Sequence, residues 1–343
     1  MAAQPPPPRE FEVEVLEGLA ALARSELEAM GARVLRTGPD GLRVVAPGAP
    51  ARLLQLRLAS AVYRRLSFDV PRPKALLGDS HFRRLAAAVS EVAGSGPVFR
   101  GFRFAAAGAD SPVFLRLGRA LAEACGVPFD PQAGELLLRV RKADPDGGWE
   151  VLVRLTPRPL SARPWRVCNR PGGLNATLAV AMNRLAGSGA RDRYLNLMCG
   201  SGTLLVERSL DGPAKELVGL DEDAGAVACA EANLAAAGAS AACRLLRADA
   251  LAAPLPEAAF DVITADLPWG DAVGSHQDNR ALHPAVLDAA ARLAAPGARL
   301  VLLTHELRLF QAVLRQQHRW RLERELKVAH GGHFPHVYLL RPG

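Results

Sequence analysis

Apolar and polar residues follow two different periods in the first part of this chain of 343 residues. The stretch "FEVEVL" (11–16) alternates as a strand does, and "GLAALARSELEAMGA" (18–32) repeats apolar residues at helical spacing. A Pro-Asp-Gly turn divides "RVLRTGPDGLRVVAP" into two short strands, and the pattern that follows predicts a helix over 49–62 and a strand over 63–70. These elements predict a small α+β unit.

A second group of elements follows the break at "PRPKALLGDS". Helical spacing predicts helices over 81–93 and 111–126, and a strand is predicted over 97–105. "ELLLRVRKA" and "WEVLVRLT" predict two further strands, joined by the turn "DPDGG". The segment 157–173, "PRPLSARPWRVCNRPGG", is rich in Pro, Arg and Gly and predicts a linker.

From residue 174 onward, helices alternate with short apolar strands, which is typical of a parallel sheet with helices on both faces. The predicted strands are 192–198, 217–221, 243–247, 260–265 and 299–304. "WRLERELKVA" and "HVYLLRP" predict a final antiparallel pair. The predicted fold class of this half is therefore α/β, with a mostly parallel sheet.

The length predicts two domains or three small ones, and with 49% hydrophobic residues the chain can bury their cores. Arg interrupts every apolar run before it reaches membrane-spanning length. The start "MAAQPPPPRE" lacks the apolar centre of a signal peptide, and we expect residues 1–9 to be disordered. The sequence therefore predicts a soluble, cytoplasmic protein.

The formal charge of +7 is concentrated in the first half. Residues 1–165 hold 23 Lys and Arg against 17 Asp and Glu, whereas residues 166–343 hold 19 against 18. This asymmetry suggests a polyanion partner for the first half, although a mild excess is more often only a solvated surface. Charge alone leaves both interpretations open.

The five cysteines are scattered and never form a CxxC pair, which argues against a disulfide framework and against a zinc site. We expect them to be reduced and mostly buried. His330, His333 and His336 lie close together in "HGGHFPH", but this segment lacks a Cys or carboxylate partner. No bound metal is predicted.

The stretch "NLMCGSGT" (196–203) lies at the end of the first strand of the parallel sheet, where ligands bind in such folds. Gly200 and Gly202 would allow a sharp turn and the close approach of a ligand to backbone N–H groups, and Thr203 begins a helix. The residue three positions after Gly202 is Leu205, and no Gly-Lys-Ser/Thr follows, so the stretch is neither a dinucleotide fingerprint nor a Walker loop. Glycines that only allow the turn are the structural alternative.

Acidic residues end the next two strands. Asp221 follows the glycine loop at the sequence spacing typical of a carboxylate that accepts hydrogen bonds from both hydroxyls of a ribose. Asp249 would lie beside an adenine edge. Each could instead cap a helix. Their coincidence with the glycine loop on three successive strands favours an adenosine-containing ligand without a phosphate cradle, and S-adenosylmethionine fits that description.

The fourth strand runs into "DLPWG" (266–270). Asp266 and the carbonyl of Leu267 can hold the two hydrogens of an exocyclic amine, and Trp269 can stack on the base, a contact worth roughly 1–3 kcal/mol. A strand that ends in proline beside a packed tryptophan is the structural alternative. We predict that Asp266, Leu267, Pro268 and Trp269 form the catalytic motif.

These motifs, in this order, resemble those of the THUMP-domain class I S-adenosylmethionine-dependent RNA methyltransferases, in particular the tRNA guanine-N2 methyltransferases. The catalytic half is similar in "PLSARPWRV", "LNATLAVAMNRLA", "CGSGTLLVE", "VGLDEDAGAVACAEANLAAAG", "RADA" and "DLPWG". "FRGFRFAAAGADSPVFLRLGRALAEACGV" and "ELLLRVRKA" resemble the THUMP core. The resemblance implies a ferredoxin-like segment (10–72), a THUMP RNA-binding domain (73–156), the linker (157–173) and a Rossmann-like methyltransferase domain (174–343).

The resemblance also implies which residues bind S-adenosylmethionine and RNA. The cofactor-binding residues are Thr177, Asn196, Cys199, Gly200, Gly202, Thr203, Asp221, Glu222, Asp249, Ala250 and Asp266. Because "AAAGAD" (105–110) lacks the basic residues often found there, contacts to the acceptor end of tRNA are assigned to Arg100, Arg103, Arg116, Arg119, Arg163 and Arg166. Asn196 replaces the acid that the family usually has near the methionine end of the cofactor, and its amide can still form a hydrogen bond.

The expected product is N2-methylguanosine in tRNA, with another structured RNA as the alternative substrate. No membrane or metal is expected, and a partner subunit is left open. An enzymatic alternative is N6-methylation of adenine in RNA or DNA, because "DLPW" resembles the "DPPW" of such enzymes. An alternative of another class is a non-catalytic RNA-binding protein with a degenerate cofactor site, which Asn196 and the missing basic residues of "AAAGAD" motivate. The sequence alone leaves these alternatives open.

Overall fold

The chain forms two compact units in the computed structural model, which describes residues 9–143, 147–187, 189–269 and 276–343. One unit consists of Met1–Val15 and Ala20–Ser161, and the other of Leu16–Leu19 and Ala162–Gly343. The second boundary falls inside the predicted linker. Most of the predicted disordered start, the tip of the "DPDGG" turn and Gly270 of the "DLPWG" motif lie outside the described residues.

The first unit is built on one seven-stranded sheet. Its strands are β1 (Glu10–Val15), β2 (Arg33–Thr37), β3 (Gly41–Val45), β4 (Ala59–Phe68), β5 (Phe102–Ala105), β6 (Leu136–Lys142) and β7 (Trp149–Arg154). Its helices are α1 (Ala20–Ala29), α2 (Asp79–Ala93) and α3 (Pro112–Cys125). The strand order is β2-β3-β1-β4-β7-β6-β5, in which β5 and β6 run parallel and the other neighbours antiparallel. The predicted ferredoxin-like and THUMP segments thus contribute strands to the same sheet, and the division between them stays a prediction.

Alternation in β1 places Phe11 and Val13 in the core and Glu10 on the opposite face. On that face, Arg65 of β4 is only 3% exposed and binds Glu10 at 2.9 Å and Glu150 of β7 at 2.8 Å. A buried guanidinium needs such partners, because a buried charge without one costs several kcal/mol. The ion pairs therefore connect three adjacent strands.

One prediction in the first unit is wrong. The region predicted as a helix over 49–62 contains a short 3-10 helix (Pro50–Gln55), and its end belongs to β4. Strand β4 lies between β1 and β7, and residues on both of its faces are buried. Its apolar run therefore lacks the alternation that identifies a half-exposed strand, and the period alone suggested a helix.

The second unit has a seven-stranded sheet that is mostly parallel. Its strands are β8 (Arg193–Leu197), β9 (Glu216–Asp221), β10 (Cys243–Arg247), β11 (Phe260–Asp266), β12 (Ala294–Thr304), β13 (Trp320–Lys327) and β14 (His336–Pro342). Its helices are α4 (Ala176–Ala186), α5 (Thr203–Leu210), α6 (Ala224–Ala236), α7 (His276–Leu293) and α8 (Leu307–Gln316). The strand order is β10-β9-β8-β11-β12-β14-β13, and only the pairs that involve β14 are antiparallel. The predicted parallel strands and the final antiparallel pair are confirmed.

The expectation that the cysteines are all reduced is wrong for one pair. Cys168 of the predicted linker and Cys229 of α6 form a disulfide, with their Cα atoms 5.4 Å apart. The two residues are 61 positions apart in the sequence, so that only the path of the linker across α6 brings them together. Cys125, Cys199 and Cys243 are free.

Among the described residues, none of the helices combines the length and the apolar character that crossing a bilayer requires.

A buried arginine holds the chain together where α5 ends. Arg208 is 2% exposed, and its guanidinium donates to the carbonyl oxygens of Gly189, Gly212 and Pro213, each at 2.9 Å. The carbonyl of Gly189 belongs to the loop before β8, and those of Gly212 and Pro213 belong to the loop after α5. One side chain therefore supplies donors that the loop backbone would otherwise lack.

We predict that Arg208→Met destabilises the protein by at least about 3 kcal/mol, because buried carbonyl oxygens left without a donor cost about 1–3 kcal/mol each. Urea denaturation followed by circular dichroism measures the change. Arg184→Met is the matched control, since Arg184 forms a partly exposed ion pair with Asp211 and should contribute less than about 1 kcal/mol. Equal effects of the two substitutions would contradict this role of Arg208.

Candidate active site

A cleft of about 510 Å³ opens at the carboxyl ends of β8, β9 and β11. Four stretches line it: the end of the linker, the glycine loop after β8, the end of β9 and the end of β11. The lining residues are Arg170, Pro171, Gly172, Gly173, Leu174, Asn196, Met198, Cys199, Gly200, Ser201, Thr203, Leu204, Asp221, Glu222, Asp223, Ala226, Asp266, Leu267, Pro268 and Trp269. The carboxyl ends of parallel strands are where a fold of this class binds ligands.

The two glycines of the loop have different roles. Both adopt left-handed backbone conformations, with φ of 53° at Gly200 and 75° at Gly202. A Cβ at Gly200 would meet no atom within 4 Å, whereas one at Gly202 would lie 2.9 Å from the Cβ of Ala230. Gly200 therefore leaves open space beside the loop, and Gly202 allows the loop to pack closely on α6.

Asp221 at the end of β9 holds the glycine loop in position. Its Oδ2 accepts a hydrogen bond from the backbone N–H of Gly200 at 2.9 Å, and its Oδ1 accepts one from the N–H of Asp223 at 3.1 Å. A carboxylate oxygen has more than one acceptor site, so both oxygens can also accept hydrogen bonds from the hydroxyl groups of a ligand.

Asn196 offers an acceptor at the base of the cleft. It is 1% exposed, and its Nδ2 donates to the carbonyl oxygens of Leu197 and Thr264, both at 3.2 Å. Its Oδ1 has no hydrogen-bond partner among the described residues. A buried amide oxygen of this kind is costly unless a donor is supplied, and a ligand amine can supply one.

The predicted linker forms one wall of the cleft, which the sequence analysis did not anticipate. Asn233 of α6, with 0% exposure, holds it in place. Its Oδ1 accepts from the N–H groups of Val167 and Cys168 at 3.0 and 2.9 Å, and its Nδ2 donates to the carbonyls of Cys168 and Ser201 at 3.0 and 2.9 Å. A single amide thus ties the linker to the glycine loop, and Arg170 adds an ion pair with Asp223.

The end of β11 carries the predicted catalytic motif. Burial raises the pKa of Asp266 to about 7, although a hydrogen bond from Nε1 of Trp269 to its Oδ1 (3.5 Å) acts in the opposite direction. The N–H of Leu267 donates to the carbonyl of Leu303 at 2.9 Å and continues the pairing with β12. Because its pKa is raised to about 7, the carboxyl group of Asp266 can change its charge near neutral pH.

His305, which the sequence analysis missed, lies beside this motif. Its ring centroid is 3.4 Å from that of Trp269, with an angle of 35° between the rings. His333 is next to it, 5.6 Å from His305 and 6.1 Å from Trp269 by ring centroids. No sequence pattern connects these residues, because β12 and the turn before β14 bring them together only in the fold.

The cleft brings together ten of the residues predicted for cofactor binding and catalysis. They are Asn196, Cys199, Gly200, Thr203, Asp221, Glu222, Asp266, Leu267, Pro268 and Trp269. Four others do not line it: Thr177, Gly202, Asp249 and Ala250. Thr177 is buried against Asn175, the cap of α4, and Asp249 accepts a hydrogen bond from the N–H of Leu251 at 2.8 Å. Thr177 is thus part of the start of α4, and the carboxylate of Asp249 forms a turn contact instead of the helix cap that was its structural alternative.

The arginines predicted to contact RNA fall into two groups. In the first unit, Arg116 and Arg119 are exposed on α3, and the side chain of Arg100 is 90% exposed. Arg103 donates to the carbonyl of Gln132 at 3.2 Å. This group stays available as a basic surface.

The two linker arginines are bound inside the second unit. Arg163 donates to the buried carboxylate of Glu207 at 2.8 Å. Arg166 donates to the carbonyl of Leu174 at 2.7 Å and to Oγ1 of Thr203 at 3.1 Å. Their guanidinium groups fix the linker on α5, and they are not retained as RNA contacts.

No group of three or more His, Cys, Asp or Glu side chains that could hold a metal ion occurs within residues 9–143, 147–187, 189–269 and 276–343. His330 and His333 face each other through a backbone bridge at the turn before β14, with N–H···O distances of 2.9 and 3.0 Å.

Comparison with known proteins identifies the second unit. The family of the RMKL-like methyltransferase domain matches residues 163–336, just over half of the chain. The chain belongs to this family. The matched region contains the cleft described above, and the predicted resemblance and fold class are confirmed.

The relatives are methyltransferases that act on guanine N2. A tRNA (guanine(6)-N2)-methyltransferase of Thermus thermophilus is 35% identical over 227 residues, 66% of this chain and 66% of that protein. The bovine U6 snRNA (guanine-N(2))-methyltransferase THUMPD2 is 37% identical over 101 residues, 29% of this chain and 20% of that protein. These matches therefore span between 20% and 66% of the curated relatives' length. The crystal structure of TrmN from Thermus thermophilus matches with a TM-score of 0.78 and 30% identity, covering 98% of this chain and 100% of that chain.

The raised pKa of Asp266 predicts how stability depends on pH. Between the unfolded pKa of an aspartate, about 4, and about 7, the unfolded chain has released this proton and the folded protein has kept it. This contribution to the free energy of unfolding is present below about pH 4, falls as the pH rises, and is lost above about pH 7. Asp266→Asn lacks this titration, so its stability relative to the unsubstituted protein should increase from pH 5 to pH 8. Urea midpoints across this range measure it, and parallel curves would show that the Asp266 pKa is ordinary.

Proposed function

We propose that this chain is an S-adenosylmethionine-dependent RNA methyltransferase that forms N2-methylguanosine in tRNA. The observation that carries the proposal is one cleft that joins the glycine loop and Asp221 to the motif Asp266-Leu267-Pro268-Trp269. The first two suit an adenosine-containing ligand, and the motif suits an exocyclic amine. The glycine loop follows β8, and the motif lies at the end of β11. Because these two strands are neighbours in the sheet, a group can be transferred between ligands bound at the two positions.

The residues of the cleft fit S-adenosylmethionine. Asp221 has acceptor capacity for the ribose hydroxyls, Gly200 leaves open space beside the loop, and the Oδ1 of Asn196 lacks a donor that the methionine amine would supply. When bound, this cofactor supplies an electrophilic methyl group on a sulfonium sulfur. Asn196 can accept a hydrogen bond as the usual acid does, without adding a negative charge.

The motif at the end of β11 would hold the guanine. Asp266 and the carbonyl of Leu267 would accept hydrogen bonds from the two N–H groups of the exocyclic amine. These bonds would direct the nitrogen lone pair to the methyl group. His305 lies against one face of Trp269, so base stacking would use the opposite face. Positioning then supplies most of the catalysis, because the methyl group is already activated.

Asp266 also receives the proton that the reaction releases. The nitrogen–carbon bond forms while the carbon–sulfur bond breaks, and that electron pair stays with the sulfur. Ionised Asp266 accepts the proton from the nitrogen late in the transfer, and the motif needs no stronger base. Since burial raises the pKa of Asp266 to about 7, activity should rise as the pH increases through neutrality.

The names of the relatives support guanine N2 over adenine N6 as the target, because both curated proteins described above carry guanine-N2 in their names. For the RNA contacts, we propose the arginines of the first unit: Arg100, Arg116 and Arg119, which are exposed, and the half-buried Arg103. A cytoplasmic location and the ferredoxin-like and THUMP divisions of the first unit belong to the same proposal.

The decisive test is nucleoside mass spectrometry of tRNA after incubation with the full chain and S-adenosylmethionine. We expect N2-methylguanosine, and Asp266→Ala should lower turnover by a factor on the order of 10² because it removes an acceptor needed chiefly in the transition state. Calorimetry should show that this variant binds the cofactor with nearly unchanged affinity, because Asp266 is only one of several residues predicted to bind it.

Each other outcome selects a different interpretation. N6-methyladenosine would assign the protein to the adenine methyltransferases. No product together with no cofactor binding would favour the non-catalytic RNA-binding protein. Full activity of Asp266→Ala would mean that this motif does not hold the amine.

The RNA surface predicts a salt dependence. Removing two phosphate contacts with Arg116→Ala and Arg119→Ala together should weaken tRNA binding and reduce the slope of log K against log salt by about 2 units or less. Filter binding between about 50 and about 200 mM salt gives the value. Arg308→Ala with Arg315→Ala on α8 removes the same charge from the second unit. Equal losses in both double variants would contradict a specific role for α3.

A further inference from the structure

The backbone at Leu267 and Pro268 has no unused N–H group that could fix the orientation of the peptide that follows. Pro268 has no N–H group, and its ring fixes φ near −65°. The N–H of Leu267 is already used in the hydrogen bond to Leu303. The torsion angle ψ of Pro268 is therefore the free backbone variable that decides where Trp269 lies.

Asn279, in the first turn of α7, controls that torsion angle. It is 0% exposed, and its Nδ2 donates to the carbonyl oxygen of Pro268 at 3.0 Å. The direction of the Pro268 carbonyl is set by ψ of Pro268, so a bond to this oxygen restrains that angle directly. The same Nδ2 lies 3.4 Å from Oε1 of Glu306, just after β12.

The orientation of the Asn279 amide follows from the chemistry of its neighbours. A backbone carbonyl and a carboxylate are both acceptors, so the NH₂ group, and not the oxygen, must face them. Glu306 is itself fixed to the end of β12, because its N–H donates to Oγ1 of Thr304 at 3.0 Å. The chain of contacts from β12 through Glu306 and Asn279 to Pro268 thus anchors the motif on a second strand.

We propose that Asn279 is a positioning residue for methyl transfer, which orients Trp269 by restraining Pro268. This inference rests on the proposed function. Asn279 itself does not line the cleft, so it acts on the reaction through Pro268 and not by contact with either ligand. Its loss should affect the alignment of the guanine and leave the cofactor site intact.

The test compares two substitutions at Asn279 with one elsewhere on α7. Asn279→Ala removes the side-chain amide, and Asn279→Asp keeps its shape while replacing the donor with an acceptor opposite the Pro268 carbonyl and Glu306. Val286→Ala is the control, because Val286 is a core residue of the same helix with 0% exposure and does not contact the motif by hydrogen bonds. Steady-state kinetics on tRNA, calorimetry with S-adenosylmethionine and thermal melting are measured for all of them.

We expect both Asn279 variants to lower kcat by a factor on the order of 10 to 10², the loss that a misplacement of about 1 Å can cause. Their dissociation constant for the cofactor should stay within about twofold of the unsubstituted protein, well below the tenfold change that 1.4 kcal/mol would produce. Val286→Ala should lower the melting temperature while keeping kcat. If Asn279→Ala fails to fold, Asn279→Asp carries the test.

Three outcomes would overturn the proposal. The first is an unchanged kcat in a folded Asn279 variant, and the second is a loss of cofactor affinity that equals the loss of kcat. The third is an equal decrease of kcat in Val286→Ala, which would reduce the role of Asn279 to the stability of α7. These results differ from failure of the proposed function, in which the unsubstituted protein itself forms no N2-methylguanosine and both proposals fall together.

Discussion

The common register of three parallel strands determines where the chemistry can occur. Leu197 of β8 is paired with Leu220 of β9 on one side and with Ala265 of β11 on the other. The residues that follow these positions therefore leave the sheet at the same level, although they are far apart in the sequence. A shift of one strand by a single residue would move its terminal side chain to the opposite face of the sheet and separate the acids from the glycine loop.

The parts of the site that follow directly from strand ends could be predicted from the sequence. The glycine loop directly follows an apolar strand, and Asp221 and Asp266 each end one, so the topology of a parallel sheet places them together. Asp249 fits the same pattern but does not line the cleft, because a strand end gives the edge of the sheet and not the direction of a side chain. His305, Asn233 and Asn279 could not be predicted, since their contacts depend on the packing of helices and turns from distant parts of the chain.

The segment 157–173 illustrates a limit of composition as a guide. Proline, glycine and arginine usually indicate an exposed connection, and the division of the chain does fall there. Its second part is nevertheless held by Asn233, Arg163, Arg166 and a disulfide, and it closes one side of the cleft. Proline and glycine limit the conformations of such a segment, and the arginines give it fixed contacts, so an apparent linker is an ordered part of the binding site.

Met198 enters the glycine loop with φ of 51°, a left-handed conformation that is uncommon for a residue with a side chain. Such a residue costs on the order of 1–3 kcal/mol, and it persists only while the surrounding strands hold it in place. The contacts that hold the loop, from Gly200 to Asp221 and from Asn233 to Ser201, therefore offset this cost. The backbone shape of the loop is in this sense set by side chains of β9 and α6 and not by the loop sequence alone.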